Sequence, residues 1–118
     1  TSGNDGLKLT AALSYGGRQE IITAVKKLYK DISNGQLLYE NVDAEIFTDY
    51  LATSDIPDPD LLIRTSGEKR ISNFLLWQIA YTELVFSEVL WPDFKRENLA
   101  LAIEEYNGRE RRFGEVIV

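Results

Sequence analysis

The heptapeptide Arg64-Thr65-Ser66-Gly67-Glu68-Lys69-Arg70 gathers three cations, two hydroxyls and a flexible glycine into one short stretch. Ser72, just beyond it, could cap a helix and bring that helix's first amides beside the loop. Guanidinium forks and helix-start N–H groups both match diphosphate oxygens in charge and geometry, so the chemistry on offer is anion or phosphate binding. The same residues could also form a solvated charged loop ahead of an ordinary serine cap.

Such residues need elements to position them. Leu61-Leu62-Ile63 reads as a short buried strand after the breakers Pro57 and Pro59. The loop then lies at the strand's carboxyl end, where open α/β sheets bind their ligands. Leu7 to Tyr15 is a nearly continuous apolar run that reads as a buried strand ended by Gly16-Gly17. Ile21, Ile22, Val25, Leu28, Tyr29 and Ile32 recur at helical spacing, and Asn34-Gly35 is a helix stop. Asp43 is placed to cap a short helix running to about Ala52. A helix is expected from Ser72 through Phe74, Leu75, Trp77 and Ile79, and Leu84-Val85-Phe86 reads as a third strand. Trp91-Pro92 turns the chain into a last helix from about Lys95 to Arg112, weakened in its middle by Gly108. The order β-α-α-β-α-β-α predicts an α/β fold with a mainly parallel sheet and helices on both faces. Three strands make a small sheet, not expected to cover both faces unaided.

Composition narrows the chemistry. With 44% hydrophobic and 27% charged residues in 118, the chain has a globular balance and the length of one domain. No run approaches the ~18 apolar residues of a membrane span; the longest apolar stretch, Phe74 to Tyr81, is interrupted by Gln78. A net charge of −6 argues against general nucleic-acid binding. Local charge differs: six of the thirteen Lys and Arg residues fall in Arg64-Lys69-Arg70 and Arg109-Arg111-Arg112. Cysteine and histidine are absent, which removes disulfides, thiolate and imidazole metal sites, and the Ser-His triad. A metal held by the remaining oxygen ligands would be Mg²⁺ or Ca²⁺ rather than zinc. A chain that starts at Thr1 and contains no methionine reads as a fragment.

Several strings, in register, give a specific resemblance. Asp60-Leu61-Leu62-Ile63-Arg64-Thr65-Ser66-Gly67-Glu68, then Arg70-Ile71-Ser72-Asn73-Phe74-Leu75-Leu76-Trp77-Gln78 and Ala80-Tyr81-Thr82-Glu83, resemble a cis-prenyltransferase signature. Tyr15-Gly16-Gly17-Arg18, Trp91-Pro92-Asp93-Phe94 and Arg109-Glu110-Arg111-Arg112-Phe113-Gly114 extend the likeness over almost the whole chain. The family, that of undecaprenyl diphosphate synthase, condenses isopentenyl diphosphate with an allylic diphosphate such as farnesyl diphosphate, forming Z double bonds with Mg²⁺.

The resemblance implies that Arg64, Arg70 and Ser72 hold the isopentenyl diphosphate and that Glu83 helps hold Mg²⁺. Arg112-Phe113-Gly114 resembles the Arg-x-Gly element that reaches into the partner subunit's site, which makes Arg112 and Gly114 substrate-binding candidates in a homodimer. Without the resemblance, Glu83 is an ordinary solvated carboxylate and the Arg112 region a basic helix end favoured by the helix dipole. Trp77, Phe74 and Trp91 are expected in the core or at a dimer contact. The family's upstream histidine and Asp-Gly-Asn-Gly-Arg string is not in these residues. Residues 1–118 therefore read as the C-terminal portion of one cis-prenyltransferase domain, inactive alone because the catalytic aspartate is missing. The implied setting is cytoplasmic, with transient contact at a membrane surface through the lipid product. Two other readings are a non-catalytic accessory subunit of a heteromeric enzyme and an unrelated phosphate-binding α/β module. Retention of Arg64, Arg70, Ser72 and Glu83 together disfavours the first, and the lack of a GxGxxG or Walker-type loop the second.

Overall fold

Residues 2–110 and 114 are described by a computed structural model. Its sheet is a parallel pair, β1 (Leu61–Arg64) beside β2 (Glu83–Phe86), in register Leu61↔Glu83 through Arg64↔Phe86. Short apolar runs with intervening turns build both strands, and Val85 is the buried member of β2. The helices are α1 (Gly17–Ser33), α2 (Ala44–Thr48) and α3 (Arg96–Asn107), with 3₁₀ turns at Tyr39–Asn41 and Trp91–Asp93. The protein is thus α/β with a parallel sheet, as its composition of elements predicts.

Local chemistry explains most helix ends. Asp43 accepts the Ile46 N–H at 2.8 Å and starts α2. Asn98 accepts the Lys95 N–H at 2.8 Å at the start of α3. At the end of α1, Gly35 takes a φ of +74°, which closes the helix where the Asn34-Gly35 stop is expected.

Three expectations need correction. Residues 7–15 form no strand, and Leu7, Leu9 and Leu13 are 86–89% exposed. A strand exists through pairing, and no described strand lies beside this segment. The helix expected from Ser72 to Ile79 is a series of turns: Ser72, Asn73 and Leu75 have φ of 48°, 63° and 48°. A right-handed helix does not propagate through left-handed residues. The last helix ends at Asn107, where Gly108 is its C-cap rather than a weak middle, and Arg111 and Arg112 lie outside the described residues.

The core is thin. Ala24, Leu51, Val85 and Ala102 are its buried apolar residues, and Ile22, Val25 and Tyr29 leave a second apolar side of α1 open. The accessible surface is 9519 Å², against about 6,500 Å² for a self-contained monomer of this mass. The radius of gyration is 17.5 Å, against about 13 Å for a compact domain of this length. The described residues therefore leave much apolar surface uncovered.

Candidate functional site

The loop after β1 is fixed by its own backbone. Ser87 N–H donates to the Arg64 carbonyl at 2.8 Å, Ser66 N–H to Val89 at 2.8 Å, and Gly67 N–H to Ser87 at 2.9 Å. The ladder of the parallel pair so continues past the carboxyl end of β1 and carries the loop with it. Gly67 turns there with a φ of +69°, a conformation that costs glycine nothing. Beside the loop is an open cleft of about 420 Å³. Arg64, Thr65 and Ser66 form its polar wall, and Ile63, Ile71 and Phe74 its apolar wall. Among the described residues Arg64 makes no ion pair. A cleft with one unpaired guanidinium, two hydroxyls and an apolar side can hold an anionic head and its attached hydrocarbon.

The other expected site residues divide. Arg70 belongs to the same loop, but its guanidinium pairs with Glu68 at 2.6 Å and is 67% exposed. Ser72 is exposed and does not line the cleft. Glu83 sits at the opposite end of the sheet: it faces Leu61 across the pair while Arg64 faces Phe86. Three residues of strand separate the two, roughly 10 Å. Arg109 donates to Glu83 at 3.0 Å and to the Leu84 carbonyl at 2.8 Å, and also pairs with Glu105. The hydrogen bond to Glu83, then that to Glu105, raise the guanidinium's pKa above its ordinary value. Gly114 has a φ of +83° and lies against the Tyr81 ring, near the Glu83 end and not the Arg64 cleft. Arg112 lies outside the described residues.

The described residues do not by themselves make a metal site. No group of three or more acidic side chains converges among them, and the neighbour of Glu83 is a cation rather than a second carboxylate. Mg²⁺ takes about six oxygen ligands, and the carboxylate of Glu83 has only two to offer.

Phe74 lines the cleft and is 39% exposed, so of the two places expected for it the core of this chain is excluded. Trp77 is inward, ring against Phe47 with centroids at 4.7 Å and its indole N–H on Thr48 Oγ1 at 3.1 Å. Trp91 is 72% exposed.

Sequence reasoning missed a polar cluster behind the cleft. Gln78, 2% exposed, donates through Nε2 to Glu20 Oε1 and Thr53 Oγ1, each at 3.0 Å. Glu20 Oε1 also accepts the Tyr15 hydroxyl, and its Oε2 accepts the Ala52 N–H at 3.0 Å. Asn73 accepts the Gly17 N–H on its carbonyl at 2.7 Å and the Arg18 N–H on its Oδ1 at 2.9 Å. The one sequence signal for this was Gly16-Gly17, since two glycines opening a helix invite a close neighbour.

A parallel pair with a cationic loop at its carboxyl end has the layout in which open α/β sheets bind their ligands. Residues 1–114 match the family described as "Putative undecaprenyl diphosphate synthase", and the chain belongs to that family. It is 59% identical over 114 residues to an isoprenyl transferase of Geobacter sulfurreducens, covering 97% of this chain and 46% of that protein. It is 54% identical to the ditrans,polycis-undecaprenyl-diphosphate synthase, (2E,6E)-farnesyl-diphosphate specific, of Coxiella burnetii, covering 97% and 48%. Among solved structures, lavandulyl diphosphate synthase from Lavandula x intermedia, in complex with dimethylallyl diphosphate, superposes with a TM-score of 0.91 at 40% identity, covering 97% of this chain and 49% of that one. A "probable undecaprenyl diphosphate synthase" from Campylobacter jejuni gives a TM-score of 0.71 at 39% identity, covering 87% and 45%. The chain spans about half the length of the curated relatives it matches.

Proposed function

We propose that the whole protein carrying this chain is a cis-prenyltransferase that condenses isopentenyl diphosphate with an allylic diphosphate, farnesyl diphosphate, into a long Z-polyprenyl diphosphate of the undecaprenyl class. The observation that carries the reading is Arg64: an unpaired guanidinium in a half-apolar cleft at the carboxyl end of the sheet, within a chain of this family. The names of the relatives support the substrate class.

Arg64 orients the isopentenyl diphosphate by charge-assisted hydrogen bonds, and Ile71 and Phe74 bound its hydrocarbon. Arg70 joins by exchanging Glu68 for phosphate, a small cost because that pair is exposed. Ser72, outside the cleft lining, has to turn toward the phosphate to add its hydroxyl. The isopentenyl double bond attacks the allylic carbon, a carbon–carbon bond forms as the bond to diphosphate breaks, and the isopentenyl unit then loses a proton. None of the residues at the cleft is a general base, and a diphosphate oxygen can accept that proton.

Magnesium dependence belongs to the same proposal. Glu83 is the carboxylate these residues offer; further oxygen ligands have to come from substrate or from outside the described residues. So do a homodimer in which Arg112 and Gly114 serve the neighbouring subunit's site, and a cytoplasmic protein touching membrane through its lipid product. Among the described residues no helix is long and apolar enough to cross a membrane.

The test is kinetic. In the whole protein, Arg64→Ala and Arg70→Ala should each raise the KM for isopentenyl diphosphate and lower turnover. Loss of one charge-assisted phosphate contact weakens binding by about 1.5–3 kcal/mol, roughly ten- to a hundredfold. Wild-type kinetics in both variants would return the loop to a solvated turn.

A further inference from the structure

The run Ser72-Asn73-Phe74-Leu75 holds three non-glycine residues with φ between 48° and 63°. Left-handed residues with side chains persist only where the surroundings over-determine them. Here the surroundings are the first turn of α1. Asn73 takes the Gly17 N–H on its carbonyl and the Arg18 N–H on its Oδ1, at 2.7 and 2.9 Å. Five residues further on, Gln78 grips the same turn through Glu20 at 3.0 Å. Tyr15, just ahead of the helix, meets Phe74 edge-on with ring centroids 5.6 Å apart.

The approach is close enough to need glycine on the helix side. A Cβ on Gly17 would lie 2.8 Å from Leu76 Cγ and 3.0 Å from the Asn73 carbonyl oxygen. The first N–H groups of a helix have no partner within it. In α1, Asn73 supplies partners for two of them from a segment 55 residues away. That segment is the downstream anchor of the phosphate loop: Arg70 and Ser72 lie on its near side, and Ile71 and Phe74 form the apolar wall of the cleft.

We propose that the first turn of α1 is the platform that holds the phosphate loop in shape, with Asn73 as its positioning residue. The inference rests on the phosphate reading of the cleft and adds a residue outside the cleft lining. The Asn73 Oδ1 bond holds the chain in its left-handed turn. Releasing it lets the segment relax toward ordinary φ values and carries Ile71, Ser72 and Phe74 away from Arg64.

Asn73→Gly tests this in the whole protein, because glycine keeps the left-handed backbone and the carbonyl acceptor and removes only Oδ1. A lost side-chain cap corresponds to about a threefold to tenfold rise in the KM for isopentenyl diphosphate. The kcat per folded enzyme should stay within about twofold, the signature of lost binding rather than lost chemistry. Asn73→Asp, which retains the acceptor oxygen, should bring KM back toward the parent. Gly17→Ala attacks the contact from the helix side and should raise KM likewise, which keeps the test decisive if Asn73→Gly does not fold. Arg70→Ala, run in parallel, separates the two levels. If Arg70→Ala raises KM while Asn73→Gly and Gly17→Ala do not, or lower only kcat or the melting temperature, the platform is refuted and the phosphate reading stands. If Arg70→Ala and Arg64→Ala also leave KM unchanged, the phosphate reading falls and the platform falls with it.

Discussion

At the carboxyl end of β1, Arg64 lines an open cleft and pairs with no carboxylate among the described residues, whereas at the amino end of β2, Glu83 is gripped by Arg109. Arg64 is a candidate from the local pattern of a strand end and a cationic loop, and Glu83 only through the family resemblance. Their surroundings separate them. An unpaired cation beside hydroxyls and an apolar wall keeps its field for an incoming anion. A carboxylate already in a pair with 23% and 32% exposed side chains presents little net charge. A metal at Glu83 has to displace or share with a guanidinium that also holds Glu105 and the Leu84 carbonyl. Among the described residues the carboxyl end leaves its cation unpaired, and the amino end does not leave its carboxylate so.

The largest expected effect concerns completeness. On the proposed reading the cleft has the groups for one diphosphate, and no Asp-Gly-Asn-Gly-Arg string occurs in the 118 residues. The isolated chain should therefore show no detectable condensation of farnesyl and isopentenyl diphosphates in a radiolabel assay. Turnover near that of a full-length family member would break the comparison, because both ends would then suffice as they are.

An intermediate effect sharpens the view of Glu83. In the whole protein Glu83→Gln keeps the shape, removes the charge, and should raise the Mg²⁺ concentration for half-maximal activity. A titration superimposable on the parent's would leave Glu83 as the partner of Arg109 and nothing more. Arg109→Ala removes the cation paired with Glu83 among the described residues and should lower stability by about 1 kcal/mol, with solvent screening keeping it small. A urea midpoint unmoved by that change would show the pair to be structurally idle.

The elements that read correctly from sequence are those governed by local rules. Ile21 to Ile32 carry the helical period of α1, Asp43 caps α2, and the short runs Leu61–Ile63 and Leu84–Phe86 become the parallel pair. Arg64 was legible for the same reason: a strand end followed by a cationic loop is a local pattern. The misreadings are long-range. Residues 7–15 have strand chemistry and no described neighbour to pair with. Ser72 to Leu75 have helix-compatible types, yet Asn73 is bent to serve the start of α1, a partner 55 residues away that overrides local propensity. Nothing in the string around Glu83 names Arg109, 26 residues on, as its counter-charge.

The smallest effect sets a second carboxylate against Glu83. Among the described residues Glu20 is satisfied by neutral donors, the Tyr15 hydroxyl, Gln78 Nε2 and the Ala52 N–H, and forms no ion pair. Its charge is therefore felt by Tyr15. Burial first, then the hydrogen bond to Glu20 and its charge, push the Tyr15 pKa from 10.0 up to about 12. The folded protein keeps a proton that the unfolded chain begins to lose at pH 10, so between pH 10 and about 12 the folded state binds more protons. Stability must then fall as pH rises through that window, and the contribution is complete below pH 10. Tyr15→Phe cannot titrate and removes this part of the slope. Below pH 10 the variant should be less stable than the parent by about 1 kcal/mol, the worth of one hydrogen bond. Above it the gap should close, because only the parent carries the Tyr15 hydroxyl whose raised pKa costs it stability there. Urea midpoints of the two across pH 9–11 measure the difference directly. Parallel curves would show that Glu20 is neutralised as Glu83 is, by a partner other than Tyr15, and the distinction between the two carboxylates would be lost.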